Sequence, residues 1–291
     1  MANSEQAKKA EAFLAMHKAG PVVLLANVWD VASARIVEEA GFPALATTSA
    51  GIAFSQGFPD GQKIPVGRMI SVIAAIAAAV KVPVTADVEA GYGQKPEDAA
   101  RTARLVIEAG AIGMNFEDAT GEPDHPLTEL FLQLERIRAI REVAQKAGMK
   151  LVLNARTDVY LLQLGDPAKR YDEALRRLQA FRDAGADCVF LPGLRDAETI
   201  RRIVADLRSP VNILAVPGSP SVHDLAALGV RRISLGSGPM RVTLGLLRQL
   251  ARELQSQGTY SLLNGAPPHA EINKLMRPVG KTENLEQGTE N

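Results

Sequence analysis

Residues 85–93 read Thr-Ala-Asp-Val-Glu-Ala-Gly-Tyr-Gly, so an apolar run ends in two acids, Asp87 and Glu89, and a glycine-bounded turn follows at once. On an extended strand alternate side chains share a face, which points both carboxylates the same way. Like charges that close repel, and one of them takes up a proton unless a cation lies between them. The pair can hold a metal ion, cap the next helix or face water. A cap needs only one acid, so the pair favours the metal.

Other apolar runs also end in reactive groups: Asn27 and Asp30; Thr48, Ser49 and Gly51; Glu117 and Asp118; Arg156 and Asp158; then Pro192, Pro217 and Ser237. Acids from separate runs that meet one arginine suit a divalent, oxygen-liking cation and an anionic substrate. Asp118 and Asp158 can instead be N-caps, and Arg156 can instead be a scaffold ion pair to Asp158 or Glu117. His125 lies on the loop after the Glu117 run, and imidazole exchanges protons near neutral pH. Tyr92 reads equally as a structural plug or a mouth hydroxyl. His17, His223 and His269 fall on helical stretches and are expected at the surface, and Trp29 reads as packing.

These groups converge only if the backbone brings the run ends together. Apolar runs at 22–30, 44–50, 82–89, 113–118, 151–158, 187–193, 212–218 and 232–238 alternate with helical patterns. The runs are continuous rather than alternating, as in parallel strands covered on both faces. Several helical patterns close on glycine (Gly41, Gly110, Gly148, Gly185, Gly229), the left-handed stop that precedes a strand. Eight such units predict a (β/α)8 TIM barrel, with catalysis at the C-terminal strand ends. A doubly wound sheet is the competitor, but no Gly-x-Gly-x-x-Gly follows the first run. The stretch HAEINKLM at 269–276 is an extra helix with no place in the ring, and docking on a neighbouring subunit is expected of it. One domain therefore spans 1–276, and the polar stretch 277–291 is expected to be disordered.

The 33 basic and 33 acidic side chains balance, which argues against nucleic acid or an anionic membrane as partner. A single cysteine, Cys188, excludes an internal disulfide and a cysteine-based zinc site and fits a reducing compartment. The longest apolar stretch, MISVIAAIAAAV, is about half of what a membrane-spanning helix needs. The first twenty residues read as an amphipathic helix without a signal-peptide core. A soluble, cytoplasmic protein is expected.

The stretches TTSAGIAFSQGFPDG, TADVEAGYG, NFED and LNARTDVYL, in this order on successive runs, resemble the isocitrate lyase/phosphoenolpyruvate mutase superfamily. The resemblance covers Asn27 to about Gly258. It implies a Mg²⁺ or Mn²⁺ enzyme that makes or breaks a C–C or P–C bond in a 2-oxo or 2-hydroxy carboxylate through an enolate. It also implies a homotetramer that exchanges its last barrel helix between paired subunits. By this resemblance Asp87 contacts the metal, with Glu89 and Glu117 in its outer shell. Asp60 lies near both metal water and substrate. Ser49, Ala50 and Gly51 hold a substrate carboxylate, and Arg156 pairs with one.

The chain departs from the family's tricarboxylate lyases, which carry Lys-Lys-Cys-Gly-His on the loop after the fourth strand. Here that loop is EDATGEPDHPLTEL, and Cys188 lies on a strand, where it reads as a small buried hydrophobe. Pro192 and Val216 stand where those lyases carry a glutamate and an asparagine. The loop also lacks the lysine and asparagine of the phosphonate enzymes. The expectation is a Mg²⁺-dependent carbon–carbon lyase of an oxaloacetate decarboxylase type, with His125 as the acid or base. Retro-aldol cleavage of a substituted malate, P–C chemistry and a non-catalytic 2-oxo acid binder are the alternatives.

Overall fold

A computed structural model of the chain describes residues 4–277. Nine parallel strand segments form one sheet: β1 (Val23–Leu25), β2 (Asn27–Val28), β3 (Leu45–Thr47), β4 (Val84–Asp87), β5 (Gly113–Glu117), β6 (Val152–Arg156), β7 (Cys188–Phe190), β8 (Val211–Leu214) and β9 (Arg232–Ser234). They pair in the order β1-β9-β8-β7-β6-β5-β4-β3-β2. β1 and β2 are one stave of the barrel, interrupted at Ala26. β1 pairs with β9 and β2 with β3, so the sheet returns on itself as the barrel expectation requires.

Asn27 stitches that seam. Its Nδ2 donates to the Thr47 carbonyl at 2.9 Å, and its Oδ1 accepts from the amides of Leu235 and Gly236 at 2.8 and 2.9 Å. The helices are α1 (Ser4–Lys18), α2 (Val31–Glu39), α3 (Ser49–Ser55), α4 (Val66–Ala79), α5 (Pro96–Glu108), α6 (Leu130–Lys146), α7 (Arg170–Asp183), α8 (Ala197–Leu207), α9 (Val222–Ala227), α10 (Gly238–Gln257) and α11 (His269–Leu275). The apolar core lies where strands meet helices, with Ile73, Ile107, Ile140, Leu178, Ile203 and Leu225 turned inward. Fully burying an aliphatic side chain of this size contributes about 1.5–3 kcal/mol.

α1 closes the N-terminal end of the barrel, because its contacts go to segments that lead into strands. Gln6 donates to the carbonyls of Ile107 and Ala111, and Arg231 donates to those of Met16, His17 and Gly20. His17 is consequently buried rather than on the surface. Its Nδ1 lies 2.8 Å from the Phe13 carbonyl oxygen, and burial, with the charge of Arg232, pushes its pKa down to about 4.

Two further expectations change. The 44–50 run is strand only to Thr47, because Thr48 caps α3 by accepting from Gly51 at 3.3 Å. Neither Asp118 nor Asp158 is an N-cap; residues 129 and 169 precede the next helices. Asp30 is a true cap of α2, in a reciprocal box with Ser33.

At the C-terminal end, α10 buries only Met240 and leaves Val242, Leu246, Leu247 and Leu254 exposed. α11 has no buried residue, and Arg35 on α2 reaches its end by donating to the carbonyls of Leu275 and Arg277. The stretch expected to be disordered lies, from residue 278 onward, outside the described residues.

Candidate active site

The barrel places the ends of β4, β5 and β6 side by side, with Asp87 in register with Asn115 and Glu117 in register with Arg156. Asp87, Glu89, Glu117 and Asp158 are all buried there. Asp87 Oδ2 accepts from both the amide and the hydroxyl of Ser49, at 2.9 and 2.8 Å. Its Oδ1 accepts from Asn115 Nδ2 at 3.4 Å, and its own amide donates to Thr47 Oγ1. Ser49 thus turns its donors to Asp87, and Ala50 and Gly51 follow it in the first turn of α3.

Glu89 leaves the strand direction in a left-handed conformation, φ 52°. Gln62 and Tyr92 share that region, at φ 60° and 55°, so three of the five positive-φ non-glycine residues among those described ring this mouth. Such backbone costs about 1–2 kcal/mol per residue and gathers at functional sites. The three are tied together: the Gln62 amide donates to Glu89 Oε2 at 2.7 Å, and the Tyr92 amide donates to Gln62 Oε1 at 2.6 Å. Gly91 and Gly93 make the turn possible. A Cβ at Gly91 would meet Phe116 at 2.8 Å, and one at Gly93 would meet Asp98 at 2.4 Å.

Glu89 Oε1 and the Tyr92 hydroxyl are both buried without a close hydrogen-bond partner, and the two side chains interact with each other. Burial raises the Glu89 pKa to about 7, helped by the charges of Asp60 and Asp87. Burial and then the charge of Glu89 push the Tyr92 phenol well above its usual range. Asp60, on the loop between α3 and α4, is raised by desolvation and by the Asp87 charge. Burial also raises Glu117 well above the usual carboxylate range, against the pull of Arg156.

The Arg156 guanidinium is engaged by protein acids. Its Nε and Nη2 fork onto Asp158 at 2.5 and 2.8 Å, and its Nη1 lies 2.6 Å from Glu117 Oε2. Asp158 is oriented in turn by Asp118, which accepts from the Asp158 amide, from Thr157 Oγ1 and from Arg177 Nη1. Asp118 is therefore a buried strut, with a pKa that burial raises to about 6.

His125 lies exposed on a flap whose edges pair at Ala119 and Leu127. With Thr120, Tyr92, Gln62 and Leu132 it lines a cavity of about 700 Å³. The cavity flanks the acid cluster through Gln62 and Tyr92; Asp87, Glu117 and Arg156 do not line it. Cys188 is fully buried at the start of β7, with its thiol pushed up to about 12 by burial. Pro192 is buried and Val216 is half-buried.

Asp60, Asp87, Glu89, Glu117 and Asp158 thus gather around one guanidinium at the mouth, Arg156, with that of Arg232 buried below Asp87. Burial first, and the neighbouring acids after it, make it costly for Asp60, Glu89 and Glu117 to be charged together at this mouth. No group of three His, Cys, Asp or Glu among the described residues is placed to ligate one ion directly. A hard, oxygen-liking cation that keeps several waters needs few direct protein ligands, and the carboxylates here are of the type it takes. Sequence reasoning did not single out Asn115, Asn154, Gln62 or Arg232. The signal available was polar residues inside otherwise apolar runs, as in NFED and LNARTD.

An acid-rich mouth at the C-terminal end of a parallel barrel is the arrangement of a barrel enzyme. The sequence matches the phosphoenolpyruvate phosphomutase family model over residues 13–255, and the chain belongs to that family, within the isocitrate lyase/phosphoenolpyruvate mutase superfamily of lyases and mutases. An uncharacterized protein of Mycobacterium tuberculosis is 35% identical over 258 residues, covering 88% of this chain and 93% of the relative. The oxaloacetate decarboxylase of Ectopseudomonas mendocina is 30% identical over 224 residues, 72% of each chain. Among solved structures, a Burkholderia cenocepacia protein provisionally assigned as a lyase/mutase is 40% identical, with a TM-score of 0.88 over 94% of this chain and 96% of that one. Oxaloacetate acetylhydrolase with its product oxalate is 28% identical, with a TM-score of 0.82 over 94% and 95%. The superfamily expected from the motifs is the one found.

Proposed function

We propose that this chain is a Mg²⁺-dependent carbon–carbon lyase that decarboxylates a 2-oxo dicarboxylate of the oxaloacetate type. The observation that carries the reading is the buried cluster of carboxylates around Asp87, with Glu89 and Glu117 beside it and raised by burial and by the charge of neighbouring acids. A divalent cation bound there supplies Lewis acidity, drawing charge from a 2-oxo group and favouring the enolate left when CO₂ departs.

Asp87, with its Oδ2 fixed by Ser49, is assigned as the direct ligand, and Glu89, Glu117 and Asp60 as holders of water around the ion. Arg156, clamped by Asp158 and Glu117, contributes fixed positive charge toward substrate carboxylates. In the bond accounting, the C3–C4 bond breaks, its electrons enter the C2–C3 enolate, and a proton added at C3 gives the 2-oxo monocarboxylate. His125 on the flap is assigned as the proton donor.

The absence of a thiol and of lysine from the flap, with Cys188 sealed in the barrel, disfavours tricarboxylate cleavage and phosphoryl chemistry. The family resemblance to an oxaloacetate decarboxylase supports the substrate class.

The test is pyruvate release from oxaloacetate with Mg²⁺, set against Mg²⁺ without protein and run beside 2,3-dimethylmalate, methylisocitrate and phosphonopyruvate. Release at the protein-free rate, with cleavage of a substituted malate, would move the assignment to retro-aldol chemistry. Turnover of none of them, with oxalate and Mg²⁺ still bound, would make the chain a binder. The exposed leucines of α10 are assigned to a second copy of this chain in a helix-exchanged tetramer, which light scattering after gel filtration tests; a monomer at micromolar concentration refutes it.

A further inference from the structure

We propose that Arg232 is a positioning residue for Asp87, acting across the barrel lumen through the amide of Asn115. The inference rests on Asp87 holding a cation, and it concerns what holds Asp87.

With β1 and β2 counted as one stave, β5 and β9 stand four places apart in a ring of eight, on opposite walls. The lumen of such a barrel is filled in layers by alternate strands, mostly with branched apolar side chains. Here the layer is polar. Arg232, on the first residue of β9, reaches over the lumen and donates from Nη2 to Asn115 Oδ1 at 3.1 Å. Asn154 Nδ2 donates to the same oxygen at 2.8 Å. Asn115 then has one way to lie. Turned over, its NH₂ would face two donors and its oxygen would face the Asp87 carboxylate. In the observed orientation Nδ2 donates to Asp87 Oδ1 at 3.4 Å, opposite the two Ser49 donors on Oδ2. Both carboxylate oxygens are thereby fixed.

The guanidinium is a costly way to fill a lumen. Arg232 is fully buried, and its Nε and Nη1 have no hydrogen-bond partner. Its other neighbours are the Phe13 ring, 5.8 Å from Cζ, and the buried Cys188 and His17, and the carboxylate whose charge acts on it is that of Asp87. A buried ionic group without a direct counter-charge is destabilising next to an apolar isostere. No direct ion pair among the described residues gives a reason for it, whereas orienting Asn115 does.

Two roles for this charge predict opposite signs. A cation placed under a metal site only as a charge repels the metal, so its removal tightens binding. An arginine that orients a ligand through Asn115 loosens binding when it is lost. Mn²⁺ binding to the full chain, followed by electron paramagnetic resonance and calorimetry, separates them. Arg232→Met and Asn115→Leu should each weaken Mn²⁺ binding about 10–100-fold, the usual range for groups that orient a metal ligand. The double variant should bind no more weakly than Asn115→Leu alone, Arg232→Lys should recover most of the affinity, and the melting temperature of Arg232→Met should hold or rise.

Unchanged or tighter Mn²⁺ binding by Arg232→Met, or losses that multiply in the double variant, would overturn the proposal. Should Arg232→Met not fold, Asn115→Leu decides it, and affinity within about twofold of the parent counts against it. A parent protein that binds no Mn²⁺ refutes the metal reading of the mouth itself, and the positioning role falls with it.

Discussion

Replacing Arg156 by lysine keeps the charge and removes the fork. In the structure three contacts depend on that fork: two parallel bonds to Asp158 at 2.5 and 2.8 Å, and the 2.6 Å contact with Glu117. A single ammonium can serve one of the two acids. The other is then left buried and uncompensated, since the Glu117 and Asp158 side chains are 11% and 4% exposed. Hydrogen bonds to charged groups contribute about 1.5–3 kcal/mol each. Losing two, with the charge retained, puts the cost near the lower end of that pair, about 3 kcal/mol, which agrees with the scale for breaking a buried ion pair.

For a chain of this length the entropy of unfolding is about 0.6 kcal/mol per kelvin, so that cost is a fall of about 5 °C in melting temperature. Scanning calorimetry of the metal-free protein at pH 7.5 measures it. A shift below about 1 °C would refute the claim that Asp158 and Glu117 hold the guanidinium in the resting protein. Turnover on the same variant adds the functional half. A hundred-fold loss of kcat/KM with the stability loss puts Arg156 on the substrate as well, and near-normal kcat/KM confines it to the scaffold.

Asp87→Ala should abolish Mn²⁺ binding and Mg²⁺-dependent turnover while the circular dichroism spectrum is kept; full turnover without metal would refute the assignment. Alkylating reagents should leave native activity untouched, because Cys188 is sealed in β7 with its pKa raised to about 12; inactivation that tracks labelling of Cys188 would show the opposite. For Asp118, folding raises the pKa from 3.8 to about 6, so its contribution to stability is present below pH 4 and lost as pH rises through 6. At about 1.4 kcal/mol per pH unit that loss is about 3 kcal/mol. Urea unfolding of Asp118→Asn should therefore show a shallower loss of stability between pH 4 and 7 than the parent, and equal slopes would count against it.

Much of the architecture was legible because it is local. Continuous apolar runs, glycine stops and helical spacing depend on near neighbours, and they place the strands that carry Asp87, Glu117 and Arg156. The break at Ala26 was not legible, since it follows from one stave having to pair with β9 and β3 at different heights. Nor was α3: Thr-Thr-Ser reads as β-branched strand until Thr48 turns to cap a helix. His17 looked like a surface residue on an amphipathic helix, because the face of α1 that closes the barrel is set by tertiary docking rather than by its own pattern.

The site divides along the same line. Asp87 with Glu89, and Arg156 with Asp158, are i, i+2 pairs, and a strand's alternation alone points each pair to one side. The flap's lack of cysteine and lysine is likewise plain in the chain. What holds these groups is not. Ser49 lies 38 residues from Asp87, Asp118 lies 59 from Arg177, and Asn115 lies 117 from Arg232. Each support crosses the barrel or passes between neighbouring staves, so it exists only once the ring has closed. An asparagine in the middle of an apolar strand is the trace such a support leaves in sequence. Here Asn115 leads from Arg232 to the acid that the mouth is built around, and Asn154 donates to the same Asn115 oxygen and holds it in place.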